Sequence, residues 1–87
     1  MAYIVDVIWG EWQRKHIENR RHITKADFGE AWLDPNRSDR PDRFHREHGP
    51  YTESIGHVRG RRLKMLWRFR GNAVWPITAF FPSPRRG

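Results

Sequence analysis

The strongest constraint on the fold is a run of three strand-like segments separated by two short turns. The segments are rich in β-branched and aromatic residues and read TESIGHV (52–58), RRLKMLWRFR (61–70) and AVWPITAFF (73–81). Arg59-Gly60 and Gly71-Asn72 lie between them, and two-residue turns of this kind connect antiparallel neighbours in hairpins. The sequence therefore predicts an antiparallel meander.

The middle segment, residues 61–70, divides its side chains between two faces. Successive side chains of a strand point to opposite faces of the sheet. One set is predicted to lie in the core: Leu63, Met65, Trp67 and Phe69. The other set is predicted to face solvent: Arg62, Lys64, Leu66, Arg68 and Arg70. One face of the meander is therefore expected to be apolar and the other cationic.

Two-residue turns also fix how the three strands pair. The expected pairs are Val58 with Arg61, His57 with Arg62, Arg70 with Ala73, and Trp75 with Arg68. One face then carries an imidazole, an indole and four cations, namely His57, Trp75, Arg62, Lys64, Arg68 and Arg70. Pro76 cannot donate a ladder hydrogen bond, so we expect either an edge strand or a β-bulge there. A bulge would swap the faces of the residues that follow, so Thr78 and Phe80 are not assigned to a face.

The first half of the chain predicts a strand, a helix and, further on, a long loop. YIVDVIW, residues 3–9, has the composition of a strand. GEWQRKHIENRR, residues 10–21, predicts a helix. Four residues in this region recur at helical spacing: Trp9, Trp12, His16 and Asn19. Residues 36–50 are polar and turn-rich and predict a loop, with a short strand around Phe44.

A second helix has the clearest local signals, in ITKADFGEAWLDP. Thr24 can cap its free N–H groups, and Asp27 stands at the third helical position, as in a capping box. Ile23 can pack on Phe28 across this cap. The helix then has an apolar stripe, made of Phe28, Ala31 and Trp32. Asp34, which precedes a proline, is expected to end it.

These elements together predict an α+β fold, with two N-terminal helices packed on an antiparallel sheet of about four strands. A chain of 87 residues is long enough for one core, and such a chain buries roughly 60–65% of the surface that it exposes when unfolded. We therefore expect a single domain over residues 1–87, with residues 82–87 forming a flexible basic tail.

Cysteine is absent, which excludes a disulfide framework and a thiolate metal site. The N-terminus lacks the features of a signal peptide, and no apolar run approaches the roughly 20 residues that span a bilayer. The sequence predicts a cytoplasmic protein. His45 and His48, with His57, suggest a metal site, but Arg43 and Arg46 bring repulsive charge to a predicted loop. No metal or other cofactor is expected.

The net charge of +7 is concentrated in one part of the chain. Residues 1–53 hold nine Lys and Arg against ten Asp and Glu, a balance of −1, whereas residues 54–87 hold eight Lys and Arg and no acid, a balance of +8. This asymmetry favours a polyanionic partner, either RNA, DNA or an acidic protein segment. Solubility alone is the alternative, although it usually relies on mixed charge. Paired carboxylates such as Glu11 with Glu18, or Glu47 with Glu53, fall where solvated charge is expected.

The cationic face of the meander suits single-stranded RNA. Cations neutralise phosphates and a tryptophan stacks on bases, although an exposed sheet face that merely resists edge aggregation would also carry arginines. RNA cleavage needs little more, because the substrate's 2′-hydroxyl is the nucleophile and the protein supplies a base, an acid and cations. The predicted catalytic residues are His57, Arg62, Lys64 and Arg68. Further RNA contacts are predicted from Arg59, Arg61, Arg70, Trp75, Arg85 and Arg86.

The order of the motifs also suggests a family. An opening strand that ends in Trp9 is followed by RRHIT, the helix FGEAWLDP, ESIGHVRGRRL and LWRFRGNAVWPITA. This order resembles the BrnT-type toxins, a branch of the RelE-like ribonucleases in bacterial type II toxin-antitoxin systems, over nearly the whole chain. The resemblance implies a RelE-like toxin that cleaves RNA, on or off the ribosome, and inhibits translation. It also implies a cognate antitoxin protein that neutralises the toxin in a hetero-oligomer.

The chain departs from the family pattern at two positions. The family usually has an arginine where His57 stands and another where Phe80 stands. Histidine can act as an acid or a base, but phenylalanine cannot replace a cation, so Arg62, Arg85 or Arg86 would have to compensate. The departures leave a second interpretation open, a non-catalytic RNA- or protein-binding module of the same fold.

Overall fold

The computed structural model describes residues 6–42 and 50–82. Over these residues the chain is an α+β fold in which two helices precede and pack against a four-stranded antiparallel sheet. The first helix, which we call the N-terminal helix, has three consecutive parts: α1 (Glu11–Gln13), a π-helical stretch (Arg14–Glu18) and α2 (Asn19–Arg21). The remaining elements are α3 (Lys25–Trp32), β1 (Ser38–Pro41), β2 (Thr52–Val58), β3 (Arg61–Arg70) and β4 (Ala73–Phe80). The strands lie in the order β1-β2-β3-β4.

The meander of β2, β3 and β4 forms with the predicted register. All four expected pairs are present: Val58 with Arg61, His57 with Arg62, Arg68 with Trp75, and Arg70 with Ala73. Arg59 and Gly60 both have positive φ, as a type I′ turn requires, and Gly71 has positive φ at the first position of the second turn. The turn chemistry and the alternation of side chains therefore act together to set this part of the fold.

A β-bulge interrupts β4 next to Pro76, one of the two outcomes expected there. Trp67 pairs with Pro76 but Leu66 pairs with Thr78, so Ile77 is an extra residue in β4. After the bulge, Phe80 pairs with Lys64, which puts it on the same face as that cation.

The predicted first strand is reduced to a single bridge in the described part of the chain. Val7 forms a parallel bridge with Val74 on the outer side of β4. The Ile8 N–H donates to Val74 O at 2.9 Å, and the Val74 N–H donates to Asp6 O at 2.8 Å. Residues 1–5, which complete the predicted strand, lie outside the described residues.

The fourth strand of the sheet is β1, in a stretch that the sequence analysis assigned to a loop. Ser38–Pro41 pairs with β2 although all four of its residues are exposed. The prediction was wrong here because SDRP has no apolar alternation, and its pairing depends on β2 alone. The short strand expected around Phe44 lies outside the described residues, as do residues 83–87 of the predicted tail.

The core combines side chains of the two helices with side chains of β2, β3 and β4. Thr24 and Asp27 form the predicted capping box at the start of α3, since each side chain accepts a hydrogen bond from the other's backbone N–H. Gly56 lets α3 lie against β2, because a Cβ at that position would be 2.2 Å from Ala31 O. The buried apolar cluster consists of Ile17, Ile23, Phe28, Ala31, Val58, Leu63, Met65, Trp67, Val74 and Ala79.

Two side chains of β3 depart from the predicted burial. Phe69 is 60% exposed although it shares the core face, because it lies near the hairpin end of β3. Leu66 is buried although it lies on the opposite face, since it occupies the middle of the central strand. In the N-terminal helix the buried side chains are Gln13 and Ile17. The Gln13 amide is accommodated because it donates to Pro76 O at 3.2 Å and accepts from the Gly10 N–H at 3.0 Å.

Across the described ranges, none of the helices has both the length and the apolar character that crossing a membrane requires.

Candidate nucleic-acid interface

The sheet face turned away from α3 carries the predicted functional residues of the meander. We call it the cation face, and its residues are His57, Arg62, Lys64, Arg68, Arg70 and Trp75. The pleat places them together because Gly56, next to His57 in β2, points at α3. The arginines are exposed, and the His57 side chain is 46% exposed. The imidazole is therefore accessible.

His57 has a carboxylate partner that the sequence analysis did not assign. Its Nδ1 lies 2.7 Å from Asp34 Oδ2. An ionised carboxylate only accepts hydrogen bonds, so Nδ1 of His57 carries the hydrogen. The other ring nitrogen, Nε2, lies on the side of the imidazole away from Asp34. The Asp34 side chain is only 10% exposed. The N–H of Asn36 and then the imidazole of His57 hold the pKa of Asp34 below its ordinary value.

The cation face has two ends that are far apart. His57 pairs with Arg62, whereas Trp75 pairs with Arg68. The two arginines are six positions apart in β3, which at about 3.3 Å per residue amounts to roughly 20 Å. The structure thus brings His57 and Arg62 together and places Arg68 beyond the reach of the same phosphate.

Lys64, between the two ends, is engaged with a buried acid. Its Nζ lies 3.4 Å from Glu53 Oε1, and the Arg40 guanidinium donates to the same oxygen at 2.7 Å. Glu53 is buried, so the expectation that it is solvated was wrong. Its burial is possible because two cations face it; Glu47 lies outside the described residues.

Phe80, where the sequence resemblance leads to the expectation of an arginine, has cations near its ring. Lys64 Nζ lies 5.8 Å from the ring centroid and Arg21 Cζ lies 5.7 Å from it. Both distances are near the outer limit of a cation–π contact. Positive charge is thus present at this position, but it comes from other parts of the chain.

The remaining predicted RNA contacts lie off the cation face or outside the described residues. The Arg59 guanidinium donates to Asp27 Oδ1 at 3.0 Å, and the Arg59 backbone N–H donates to Glu30 Oε2 at 2.7 Å, so Arg59 is tied to α3. Burial raises the pKa of Asp27, but the Thr24 N–H and the Arg59 guanidinium outweigh it and leave the pKa lowered. Arg61 stacks on Phe81, with its Cζ 4.0 Å from the ring centroid. The two C-terminal arginines, Arg85 and Arg86, are not described.

An aromatic cleft of about 330 Å³ lies at the Trp75 end of the cation face. Its lining residues are Trp12, Tyr51, Arg68, Trp75 and Ile77. The two indole rings are in contact, with centroids 5.8 Å apart. Of these residues, Arg68 and Trp75 were predicted from the sequence as RNA contacts and the other three were not. No local sequence signal indicates that Trp12 lies against Trp75.

Metal-binding groups are not assembled in the described part of the chain. No cluster of three or more His, Asp or Glu side chains is found there. The metal alternative also involved His45 and His48, which lie outside the described residues.

Comparisons of the chain with protein families, with curated proteins and with solved structures find no match. Since an α+β fold by itself does not define an activity, the function must be argued from the site.

Proposed function

We propose that this protein is a metal-independent endoribonuclease, and that it acts as a BrnT-like, RelE-like toxin of a bacterial type II toxin-antitoxin system. One observation carries the proposal: an accessible imidazole is oriented by the Asp34 carboxylate and lies beside Arg62 on a cationic sheet face. A carboxylate that holds a histidine with one nitrogen free is a common arrangement for proton transfer.

The proposed reaction needs only groups of this kind. Neutral His57 accepts the proton of the substrate's 2′-hydroxyl at Nε2, and the 2′-oxygen forms a bond to the adjacent phosphorus. The bond from phosphorus to the 5′-oxygen breaks, and that oxygen gains a proton from solvent. The products are a 2′,3′-cyclic phosphate and a free 5′-hydroxyl. Arg62 stabilises the extra negative charge on the phosphate in the transition state.

The partners follow from the same proposal. The substrate is RNA in the cytoplasm, held by the cation face, and the inhibitor is a cognate antitoxin protein whose acidic groups cover that face. The excess of +8 in residues 54–87 supports both, since each partner is an anion. A neighbouring gene that encodes a small DNA-binding protein would agree with this assignment.

A second candidate is an RNA-binding module of the same fold without nuclease activity. It is favoured by the separation of roughly 20 Å between Arg62 and Arg68, because a surface built for binding need not focus its cations on one phosphate. It is also favoured by Phe80, which replaces a cation of the family pattern. RNA binding that weakens with salt, in the absence of any cleavage products, would support this candidate.

Induced expression in bacteria separates the two candidates. The wild-type chain is expected to arrest growth, and His57→Ala and Arg62→Ala are expected to relieve the arrest while circular dichroism shows an intact fold. His22→Asn is the matched control, since His22 is exposed, has a left-handed backbone that asparagine tolerates, and lies outside the proposed site. If both site variants arrest growth as strongly as the wild type, the proposed site is wrong.

A further inference from the structure

The aromatic cleft is not used by the proposed cleavage step, because it lies at the opposite end of the cation face from His57. We propose that it binds one unpaired nucleobase of an RNA strand. Only the position of that base relative to the cut rests on the proposed function; the binding itself does not.

The walls of the cleft have the chemistry that a base requires. Trp12 is 37% exposed, which is unusual for an indole with no role at the surface. Its ring lies 5.8 Å from that of Trp75, too close for a base to enter between them, so a base would stack on the indole surface that lines the cleft. The phenol ring of Tyr51 and the aliphatic Ile77 complete the apolar lining.

The β-bulge in β4 lies in the wall of this cleft. Ile77 is the extra residue of the bulge, and it lines the cleft together with Trp75. Bulges of this kind are common next to binding sites.

The charge around the cleft identifies the class of ligand. Arg68 is part of the lining, and none of the described lining residues is acidic. A second guanidinium, that of Arg70, lies 4.6 Å from the centroid of the Trp75 ring. His16 lies against the other indole, with centroids 4.3 Å apart. Flat aromatic surfaces bordered by cations match a nucleotide, whose base stacks while its phosphate meets an arginine. An acidic peptide would use the cations but not the indoles.

The position of the cleft has a consequence for RNA recognition. An RNA strand that follows β3 from Arg62 to Arg68 covers roughly 20 Å. The bound base would therefore be several nucleotides away from the phosphate next to His57. The cleft then fixes the register of the RNA on the protein, and it influences which phosphate reaches the imidazole.

The binding is tested with a fluorescein-labelled oligouridylate and an oligoadenylate, each long enough to follow β3. Fluorescence anisotropy is measured in a His57→Ala background so that no cleavage intervenes. Trp12→Ala and Trp75→Ala are each expected to weaken binding roughly 5- to 150-fold, the range that corresponds to loss of one stacked base. Phe69→Ala is the matched control, because Phe69 is an exposed aromatic of β3 on the opposite face. It is expected to bind like the parent.

Salt dependence and a modified RNA distinguish stacking from charge. The tryptophan variants are expected to keep the parent's salt slope, whereas Arg68→Ala is expected to reduce the slope by about one. A third probe is an oligonucleotide with one abasic position. When the missing base is the one that would occupy the cleft, the parent and Trp12→Ala are expected to bind this oligonucleotide with the same affinity. Variant folds are checked by circular dichroism, and Trp75→Phe, which retains a ring, is expected to recover most of the affinity lost in Trp75→Ala.

The two proposals fail in different ways. If the tryptophan variants bind RNA as tightly as Phe69→Ala does, the base site is wrong, and the cleft is left to a protein partner. If they lose affinity but the wild-type chain never cuts RNA, the base site stands and the proposed nuclease fails.

Discussion

Asp34 Oδ2 lies 2.7 Å from Nδ1 of His57, so a residue just beyond α3 is joined to the end of β2, next to the hairpin. The ionised carboxylate is stabilised in the folded protein, where its pKa is below the ordinary value of 3.8. A group with a lowered folded pKa stabilises the protein above its unfolded pKa, and that contribution is lost as the pH falls through the folded value.

Asp34→Asn is therefore expected to lower the free energy of unfolding at neutral pH. At acid pH, where the wild-type carboxyl is protonated, the variant and the wild type should be equally stable. Urea unfolding of the wild type and the variant should give different midpoints at neutral pH and converging midpoints below pH 3.8. Asp6→Asn, at an exposed position, is the control and should change the midpoint little at any pH. Parallel curves for Asp34→Asn over the whole range would contradict the assignment.

Close contact between α3 and β2 at Gly56 predicts a large effect of a single methyl group. Gly56→Ala would place a Cβ 2.2 Å from Ala31 O, and backbone must move to relieve it. We expect a loss of at least about 1–3 kcal/mol in the free energy of unfolding, as for overpacked cores. Gly29→Ala in α3 is the matched variant, because nothing lies within 4 Å of its Cβ. It should raise stability by about 0.5–1 kcal/mol, and equal effects of the two would exclude the contact.

A buried hydroxyl links the core to the edge of the sheet. Ser54 Oγ accepts from the indole N–H of Trp67 at 2.8 Å and donates to Asp39. Ser54→Ala leaves that buried N–H without a partner, so we expect a loss of about 1–3 kcal/mol in urea unfolding. Ser38→Ala, an exposed serine of β1, should change stability by less than about 0.5 kcal/mol. A Ser54→Ala variant as stable as Ser38→Ala would show that the hydrogen bond is not formed.

The sequence was sufficient for the parts of the fold that depend on local chemistry. The turns at Gly60 and Gly71 and the capping box of Thr24 with Asp27 are each set by a few neighbouring residues, and all were predicted. The two-residue turn at Arg59-Gly60 then placed His57 opposite Arg62 without any long-range information.

The rest depends on contacts between distant residues, which a local pattern does not contain. Ser38–Pro41 becomes a strand only because β2 is beside it. Asp34 was predicted to end a helix, and its second role appears only when His57, 23 residues later, is brought to it. Trp12 was placed on a helix stripe, but its neighbour in space is Trp75 of β4.

The most direct test compares the rate of RNA cleavage by the wild-type protein with the rate after His57 is replaced. We would measure cleavage of an mRNA in a cell-free translation reaction, so that naked and ribosome-bound RNA are both present, and identify the new 3′ ends. The wild type should produce fragments that end in 2′,3′-cyclic phosphates. His57→Ala should cut about 10²- to 10⁴-fold more slowly, the usual contribution of a general base, while His22→Asn matches the wild type. A His57→Ala protein that cuts at the wild-type rate, or a folded wild type that leaves the mRNA intact, would contradict the central claim.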